Sequence, residues 1–231
     1  MEGRNSCLWY LRNVGFFPQL TESQMMDLAS RSEMREVPKK ERISLAGLER
    51  GRVYLIKEGR VRTLESVHDS REVGTDVLGP GDMVGVANLL TGEGDTECFE
   101  AVEDALVCVV DSGVLHEILR QSPDLTLHVA KRVGIRMRRI ETRLLDLMFC
   151  TVPVRVARTL LDLAQRFGQS HKEGTLIDLA LTHQQYADLV GSNREATTRA
   201  LTSLVDCGVL AYHGRKIVVR DPAALTRHAE R

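Results

Sequence analysis

Apolar and polar positions alternate over short stretches in the first half of the chain. Between Val37 and Val110, brief runs rich in β-branched and other apolar residues are separated by glycine, proline and charged residues. The clearest runs are Val53–Lys57, Val61–Leu64, Val73–Leu78 and Ala105–Val110. Short strands with turn residues between them predict an antiparallel β-roll or barrel.

Two short helices are predicted at the edges of this β-roll. The first begins after Thr21, a residue type suited to an N-cap, and the second begins at Asp111 or Ser112. Their expected buried positions are Met25, Met26 and Leu28 in the first helix and Val114, Leu115, Ile118 and Leu119 in the second.

A long helix is predicted to follow, from Pro123 to about Met148. Apolar residues recur along it at spacings of 4, 3, 4 and 3, which is the heptad pattern of a coiled coil. The residues with this spacing are Val133, Met137, Ile140, Leu144 and Leu147. Because charged residues surround them, we expect the helix to pair with the same helix of a second copy. The alternative is that this apolar stripe packs against the β-roll of its own chain.

The helical pattern breaks at Cys150–Val152 and resumes at Pro153, which suits the first turn of a new helix. The residues expected to face inward from the new helix are Val154, Val156, Ala157, Leu160, Leu161 and Ala164. We interpret the break as a hinge. A polar loop is predicted from Gly168 to Gly174, followed by a short strand at Leu176–Leu179.

The most specific pattern lies between Leu181 and Leu210. Five apolar positions there predict two short helices with a common buried face: Leu189, Val190, Ala200, Leu201 and Leu204. Gly191 lies between the helices, where a residue without Cβ can adopt positive φ. Three charged residues share one sector of the second helix, namely Arg194, Glu195 and Arg199. Since arginine suits guanine and glutamate suits cytosine, the pattern predicts a helix-turn-helix that contacts DNA bases.

Further DNA contacts are expected around these two helices. Val209–His213 and Lys216–Arg220 predict a hairpin wing, whose basic tip at Arg215 and Lys216 suits phosphate. Thr182 is an expected N-cap that would present a helix N-terminus to phosphate. The other candidate contacts are His183, Gln184, Ser192, Asn193 and Thr198. The alternatives are ordinary polar surface and, for Glu195 and Arg199, a solvated ion pair within the helix.

Charge is divided unevenly along the chain, although the net charge is only −1. Residues 151–231 hold 11 basic and 8 acidic side chains, whereas residues 1–150 hold 20 basic and 24 acidic ones. A more basic C-terminal part agrees with DNA binding there. The five cysteines are widely spaced and predict neither a disulfide framework nor a metal site, and no cofactor is expected. A redox response through Cys98, Cys108 or Cys150 stays open.

No apolar run of about 18 residues and no secretory signal are present in the sequence, so a cytoplasmic protein without membrane insertion is expected.

In this order of elements, the chain resembles the CRP/FNR family of bacterial transcription regulators, most specifically at Gly191–Arg199. The resemblance implies an α+β fold with a β-roll sensor domain over residues 1–122, a dimerisation helix and hinge over 123–150 and a winged helix-turn-helix over 151–231. It implies a homodimer on near-palindromic double-stranded DNA, base contacts by the three charged residues above, and activation through RNA polymerase, with the 166–174 loop as a candidate contact. Thr197 stands where the family more often has valine, and its hydroxyl is expected to bond a carbonyl one turn earlier.

The resemblance also bears on what the sensor binds. Members that bind cyclic AMP carry Gly-Glu-Leu followed by Arg-Ser or Arg-Thr, whereas this chain has Gly85-Val86-Ala87-Asn88 and then the acids Asp95 and Glu97. We therefore expect no cyclic AMP binding in the usual mode. The segment is similar to the nitrogen-control branch, which implies a small-molecule effector site. The candidate effector residues are Gly85, Val86, Ala87, Arg136 and Glu141, of which the last two are equally well explained as helix-surface charges.

Two other functions remain as alternatives. One is an enzyme regulated by a cyclic-nucleotide-like domain, and the other is an adaptor that keeps a winged helix without base-specific DNA binding. The enzyme alternative lacks a recognisable catalytic set in the sequence.

Overall fold

The chain divides into two units, Met1–Met137 and Arg138–Arg231. The computed structural model describes residues 7–8, 20–46, 51–67, 71–91 and 98–230. Helices and antiparallel sheets occur in both units, which confirms the predicted α+β class. No helix in the described ranges is both long and apolar enough to cross a membrane.

Two four-stranded antiparallel sheets form the β-roll of the first unit, as far as its residues are described. One sheet has the order β1-β8-β3-β6 and the other the order β2-β7-β4-β5. The strands are β1 Ser32–Val37, β2 Arg42–Ser44, β3 Arg52–Glu58, β4 Val61–Val67, β5 Arg71–Leu78, β6 Met83–Val84, β7 Cys98–Ala101 and β8 Ala105–Asp111. Each predicted run of the β-roll therefore forms a strand.

Helices flank the β-roll where the caps predict them. They are α1 Glu22–Ser30, α2 Val86–Thr91, α3 Ser112–Gln121 and the long α4 Pro123–Phe149. Thr21 caps α1 through a capping box, and the Asp111 carboxylate caps α3. The expected burial of Met26 is wrong, since its side chain is 57% exposed. Met25 and Leu28 lie three residues apart and face the core, whereas Met26 is turned about 100° away from Met25.

Two apolar clusters form the core of the first unit. One lies where helices pack on the first sheet and includes Leu28, Leu55, Leu115 and Leu125, while the other lies between the two sheets. In the second cluster the rings of Tyr54 and Phe99 meet edge to face, with centroids 5.1 Å apart. These contacts hold the β-roll together through burial of large apolar side chains.

A buried carboxylate lies on the second sheet between two arginines. Glu100 accepts hydrogen bonds from Arg42 Nε at 2.8 Å and from Arg62 Nε at 3.0 Å. Burial by itself raises the pKa of Glu100, but the bonds from Arg62 and Arg42 outweigh it and hold the pKa below its ordinary value. The free energy that this carboxylate contributes is therefore present above its unfolded-state pKa and is lost as the pH falls through its folded-state pKa.

Glu100→Gln is expected to destabilise the chain at pH 7 by about 1–3 kcal/mol, because a neutral amide replaces the ionised acceptor that Arg42 and Arg62 share, although Arg42 keeps its ion pair with Glu72. The difference from the wild type should begin to shrink as the pH falls below about 4, near the ordinary pKa of glutamate, and should vanish once the pH is below the lowered folded-state pKa of Glu100. Urea unfolding across this pH range measures both effects. Glu117→Gln, at an exposed position on α3, is the control and should change little. An equal loss at all pH values would contradict the assigned role.

The second unit contains the end of α4, four further helices and one sheet, within the described part of the chain. The helices are α5 Val152–Phe167, α6 His183–Val190, α7 Arg194–Asp206 and α8 Pro222–Ala229. The strands are β9 Gly168–His171, β10 Gly174–Ile177, β11 Leu210–His213 and β12 Lys216–Val219, and their order is β11-β12-β10-β9. Pro153 lies in the first turn of α5, as predicted, and α8 packs against α5.

The structure corrects two predictions in this unit. The predicted polar loop at 168–174 is a hairpin in which β9 pairs with β10, with Gly174 opposite His171. An edge strand has one open side, so polar residues can occupy it while its backbone groups bond the neighbouring strand. On α5, Leu163 and Phe167 are buried, whereas Leu161 and Ala164 are only half-buried.

Candidate nucleic-acid interface

The two helices of the predicted helix-turn-helix are α6 and α7. Thr182 caps α6 through a capping box with Gln185, so this expected cap is confirmed. The helix ends at Gly191, which has the left-handed φ of 67° expected of a glycine in the turn. Asn193 Oδ1 accepts a hydrogen bond from Ala196 N at 2.8 Å and caps α7. The caps and the glycine together set the angle at which α7 leaves the turn.

The inner faces of α6 and α7 form a common apolar core. All the predicted positions are buried: Leu189, Val190, Ala200, Leu201 and Leu204. Thr197 is fully buried as well, and its Oγ1 has no hydrogen-bond partner among the described residues. The expected bond to a carbonyl one turn earlier is therefore wrong. Packing into this core, rather than a local hydrogen bond, determines where the Thr197 side chain lies.

The outer face of α7 presents the three predicted base-contacting residues to solvent. Arg194, Glu195 and Arg199 are exposed. A shallow groove of about 750 Å³ runs along this face, lined by Asn193, Arg194, Glu195, Thr198 and Arg199. In the described part of the chain, the three charged side chains form no hydrogen bond or ion pair, so the alternative Glu195–Arg199 ion pair is absent. Their donors and acceptors are therefore available to an external partner.

Two of the other predicted DNA contacts bind each other. His183 Nδ1 lies 2.9 Å from Thr198 Oγ1, and His183 Nε2 lies 3.3 Å from the hydroxyl of Tyr212 on β11. The rings of His183 and Tyr212 are stacked, with their planes 27° apart. This chain of contacts connects the first turn of α6 with α7 and the wing. Sequence reasoning did not find Tyr212, because its partner lies 29 residues away along the chain.

The predicted wing is formed by β11 and β12. Their turn contains Gly214, with φ of 61°, followed by the exposed Arg215. Lys216 forms an ion pair with Asp178, so part of its positive charge is already compensated inside the unit. Arg215 is therefore the wing residue best placed for phosphate.

On α6, Gln184 Nε2 donates to Asp188 Oδ1 at 2.8 Å, while Ser192 in the turn is half-exposed.

The end of α4 contacts the turn of the helix-turn-helix, which the sequence did not reveal. Leu147 lies against Gly191 so closely that a Cβ on the glycine would overlap the leucine Cδ2. Arg155 Nη2 donates to the Gly191 carbonyl at 3.1 Å, and Arg158 forms an ion pair with Asp146 of α4. The turn is therefore fixed both by its own backbone and by the helix that carries the heptad residues.

Gly191→Ala is expected to destabilise the chain by more than the strain of the left-handed backbone, which costs about 1–2 kcal/mol. The excess arises because Leu147 must move away from the added methyl group. Gly208→Ala is the matched control, since Gly208 has φ of 74° and no heavy atom within 4 Å of its Cβ position. Urea unfolding of both variants gives the difference. Equal losses would contradict a packing role for Leu147.

Most of the predicted heptad residues are exposed in the single chain. Met137, Ile140, Leu144 and Leu147 are 59%, 58%, 57% and 47% exposed. Val133 is half-buried and packs against the core of the first unit. An exposed apolar row of this length is characteristic of a surface that pairs with another protein.

The candidate effector residues have mixed environments. Gly85 has φ of 84°, and a Cβ there would lie 2.6 Å from the Arg52 carbonyl oxygen, so close packing explains the glycine. Val86 is buried in the first-unit core, Arg136 is half-exposed and Glu141 is exposed. The Ala87 side chain and residues 92–97, which include the acidic pair of the sequence comparison, lie outside the described residues.

Two family models match the chain in the order of its units. Residues 34–122 match the cyclic nucleotide-binding domain, and residues 154–228 match the Crp-like helix-turn-helix domain. A β-roll followed by a winged helix-turn-helix with an exposed basic recognition face defines a DNA-binding transcription regulator.

Similar proteins place the chain in a family. It is 31% identical over 197 residues to the transcriptional regulator LdrP of Thermus thermophilus, covering 85% of this chain and 96% of the relative. It is 27% identical over 219 residues to the CRP-like cAMP-activated global transcriptional regulator of Mycobacterium tuberculosis, covering 95% and 98%. The structure of FixK2 from Bradyrhizobium japonicum matches with a TM-score of 0.75 at 25% identity, covering 85% and 96%. The chain belongs to the CRP/FNR family of transcription regulators.

Proposed function

We propose that the protein is a homodimeric, sequence-specific regulator that binds a near-palindromic DNA site. The observation that carries the proposal is the free outer face of α7, where Arg194, Glu195 and Arg199 line a groove without internal partners. Two arginines and a glutamate on one sector of a recognition helix can discriminate guanine and cytosine in the major groove. Arg215 on the wing and the capped N-terminus of α6 would add contacts to phosphate.

Dimerisation through α4 would give the DNA-binding protein two-fold symmetry. The exposed apolar row of α4 is available for pairing with a second copy, and Leu147 belongs both to this row and to the contact with Gly191. Pairing through α4 would therefore act directly on the turn at Gly191, which Leu147 contacts. Two copies of α7 about 34 Å apart would enter successive major grooves on one side of the duplex.

Selection from a random duplex library tests this function. Bound duplexes should converge on an inverted repeat whose half-site centres are about 10–10.5 base pairs apart, with affinity that falls steeply as salt increases. Enrichment of no sequence would overturn base-specific binding and would favour an adaptor role. Enrichment of a single unrepeated half-site would overturn the proposed dimeric mode.

The sensor is proposed to respond to something other than cyclic AMP bound in the usual mode. Val86 stands where the family's nucleotide-binding members have glutamate, and its side chain is buried among apolar residues. Calorimetric titration with cyclic AMP should therefore give no saturable heat, and saturable binding would contradict the proposal. We also propose that the protein has a small-molecule effector. Its candidate contact residues are Gly85, Val86, Ala87, Arg136 and Glu141.

A signal from the sensor is proposed to act as a population shift between two arrangements of the winged helices. Asp146 and Leu147 precede the break at Cys150–Pro153, whereas their partners Arg158 and Gly191 follow it. Rotation about the break therefore requires these contacts to separate. Activation would proceed through RNA polymerase, with residues 166–174, which include β9 and its turn toward β10, as the proposed contact surface.

A further inference from the structure

Two cysteine sulfurs lie in contact in the first unit. Cys108 on β8 is fully buried, and its Sγ lies 3.8 Å from the Sγ of Cys7, which precedes it by 101 residues. Cys7 itself is only half-buried. Among the described residues no other two cysteine sulfurs are in contact, since Cys98 and Cys150 bond oxygen atoms and Cys207 is exposed on α7's C-cap.

The surroundings of the two thiols shift their pKa values in opposite directions. The hydrogen bond donated by Cys108 lowers the pKa of Cys7, while that same bond and burial raise the pKa of Cys108. A thiolate is the nucleophilic form of cysteine, and access decides whether an oxidant can reach it. Cys7 is therefore suited to react first, and Cys108 is placed to resolve the product because its sulfur lies 3.8 Å away.

We propose that Cys7 and Cys108 form a reversible intrachain disulfide when the protein is exposed to hydrogen peroxide. The Cys7 thiolate attacks one peroxide oxygen and breaks the O–O bond, which gives a sulfenic acid and, with one proton, water. The Cys108 sulfur then attacks the sulfenic sulfur, forming the S–S bond and releasing a second water. The two sulfurs together lose two electrons, and hydrogen peroxide gains them.

The geometry requires only a small movement for this reaction. The sulfurs must approach by about 1.8 Å to reach the disulfide length of about 2.05 Å. Cys108 lies opposite Met34 on β1 and Leu55 on β3, so the approach would have to come mainly from the Cys7 side. The bond would fix Cys7 to β8, an internal strand of the first sheet, and could be opened again by a dithiol.

Peptide mapping of the full-length, folded protein after brief exposure to hydrogen peroxide tests the proposal. Free thiols are first blocked, and the chain is then cut with trypsin and a glutamyl endopeptidase under non-reducing conditions. This digestion separates Cys98 from Cys108 because Glu100 and Glu103 lie between them. We expect one cross-linked species that joins residues 5–12 to the Cys108 peptide and disappears after dithiothreitol.

Variants and a denatured sample provide the controls. The cross-link should be lost in Cys7→Ser and in Cys108→Ala, the latter keeping a small apolar group in the core, and retained in Cys207→Ser. In concentrated urea the preference for this pair should disappear, because it depends on the folded β-roll. Recovery of the Cys7 peptide in reduced form, as a lone oxidised thiol, or joined to a different cysteine would each overturn the proposal.

Discussion

Arg194→Ala is expected to weaken binding to the selected DNA site by about 1–3 kcal/mol, or roughly 5–150-fold, and to relax the base preference at one position in each half-site. The side chain is exposed at the start of α7 and has no partner in the described part of the chain, so its removal leaves the fold intact. Fluorescence-anisotropy titrations on the selected duplex and on a scrambled duplex measure the loss. The loss should be large on the first duplex and small on the second.

Arg215→Ala is the matched control for this prediction. It removes the same side chain from the exposed turn of the wing, where phosphate rather than a base is the expected partner. Binding should weaken by a similar factor on both duplexes, and the dependence of affinity on salt should become less steep. Base contact by Arg194 would be refuted if its variant lost equal affinity on the selected and the scrambled duplex.

The double change Ile140→Lys and Leu144→Lys is expected to convert the proposed dimer into a monomer. Both side chains are exposed in the single chain, so the folded chain tolerates lysine, but four lysines facing one another across the heptad row would repel. Sedimentation velocity should give a mass near 25.8 kDa in place of about twice that value. Affinity for the inverted repeat should fall by about 10²-fold or more, since two linked half-sites become independent.

Thr142→Lys is the control for the dimer prediction. Thr142 is exposed on the same helix at the heptad position farthest from the apolar row, so a lysine there should leave mass and DNA affinity unchanged. An unchanged mass for the double variant would exclude pairing through this row. Loss of the dimer with full DNA affinity would instead separate dimerisation from DNA binding.

Local chemistry made much of the fold predictable from the sequence. Alternating runs predicted the strands of the β-roll, and the caps at Thr21, Asp111 and Thr182 predicted helix starts, because each satisfies free backbone N–H groups within a few residues. Prediction failed where pairing between segments overrode composition. The β9–β10 hairpin is polar, yet it joins a sheet through backbone hydrogen bonds, which the side-chain pattern does not predict.

The candidate interface followed the same division. The exposed charges of α7 and the glycine turn were predictable, since helical spacing determines which residues share a face. Two contacts could not be predicted: the bond between His183 and Tyr212 and the packing of Leu147 on Gly191. They join residues that lie 29 and 44 positions apart along the chain. Both contacts lie next to the exposed face of α7 rather than on it, and no local sequence pattern indicates them.

The most direct measurement for the two-fold reading mode is an affinity comparison between the selected inverted repeat and the same duplex with five base pairs inserted between the half-sites. Five base pairs turn one half-site to the opposite side of the duplex, since B-DNA has about 10–10.5 base pairs per turn. A dimer with two fixed recognition helices should bind the altered duplex only as tightly as a single half-site. Equal affinity for the two duplexes would contradict the account.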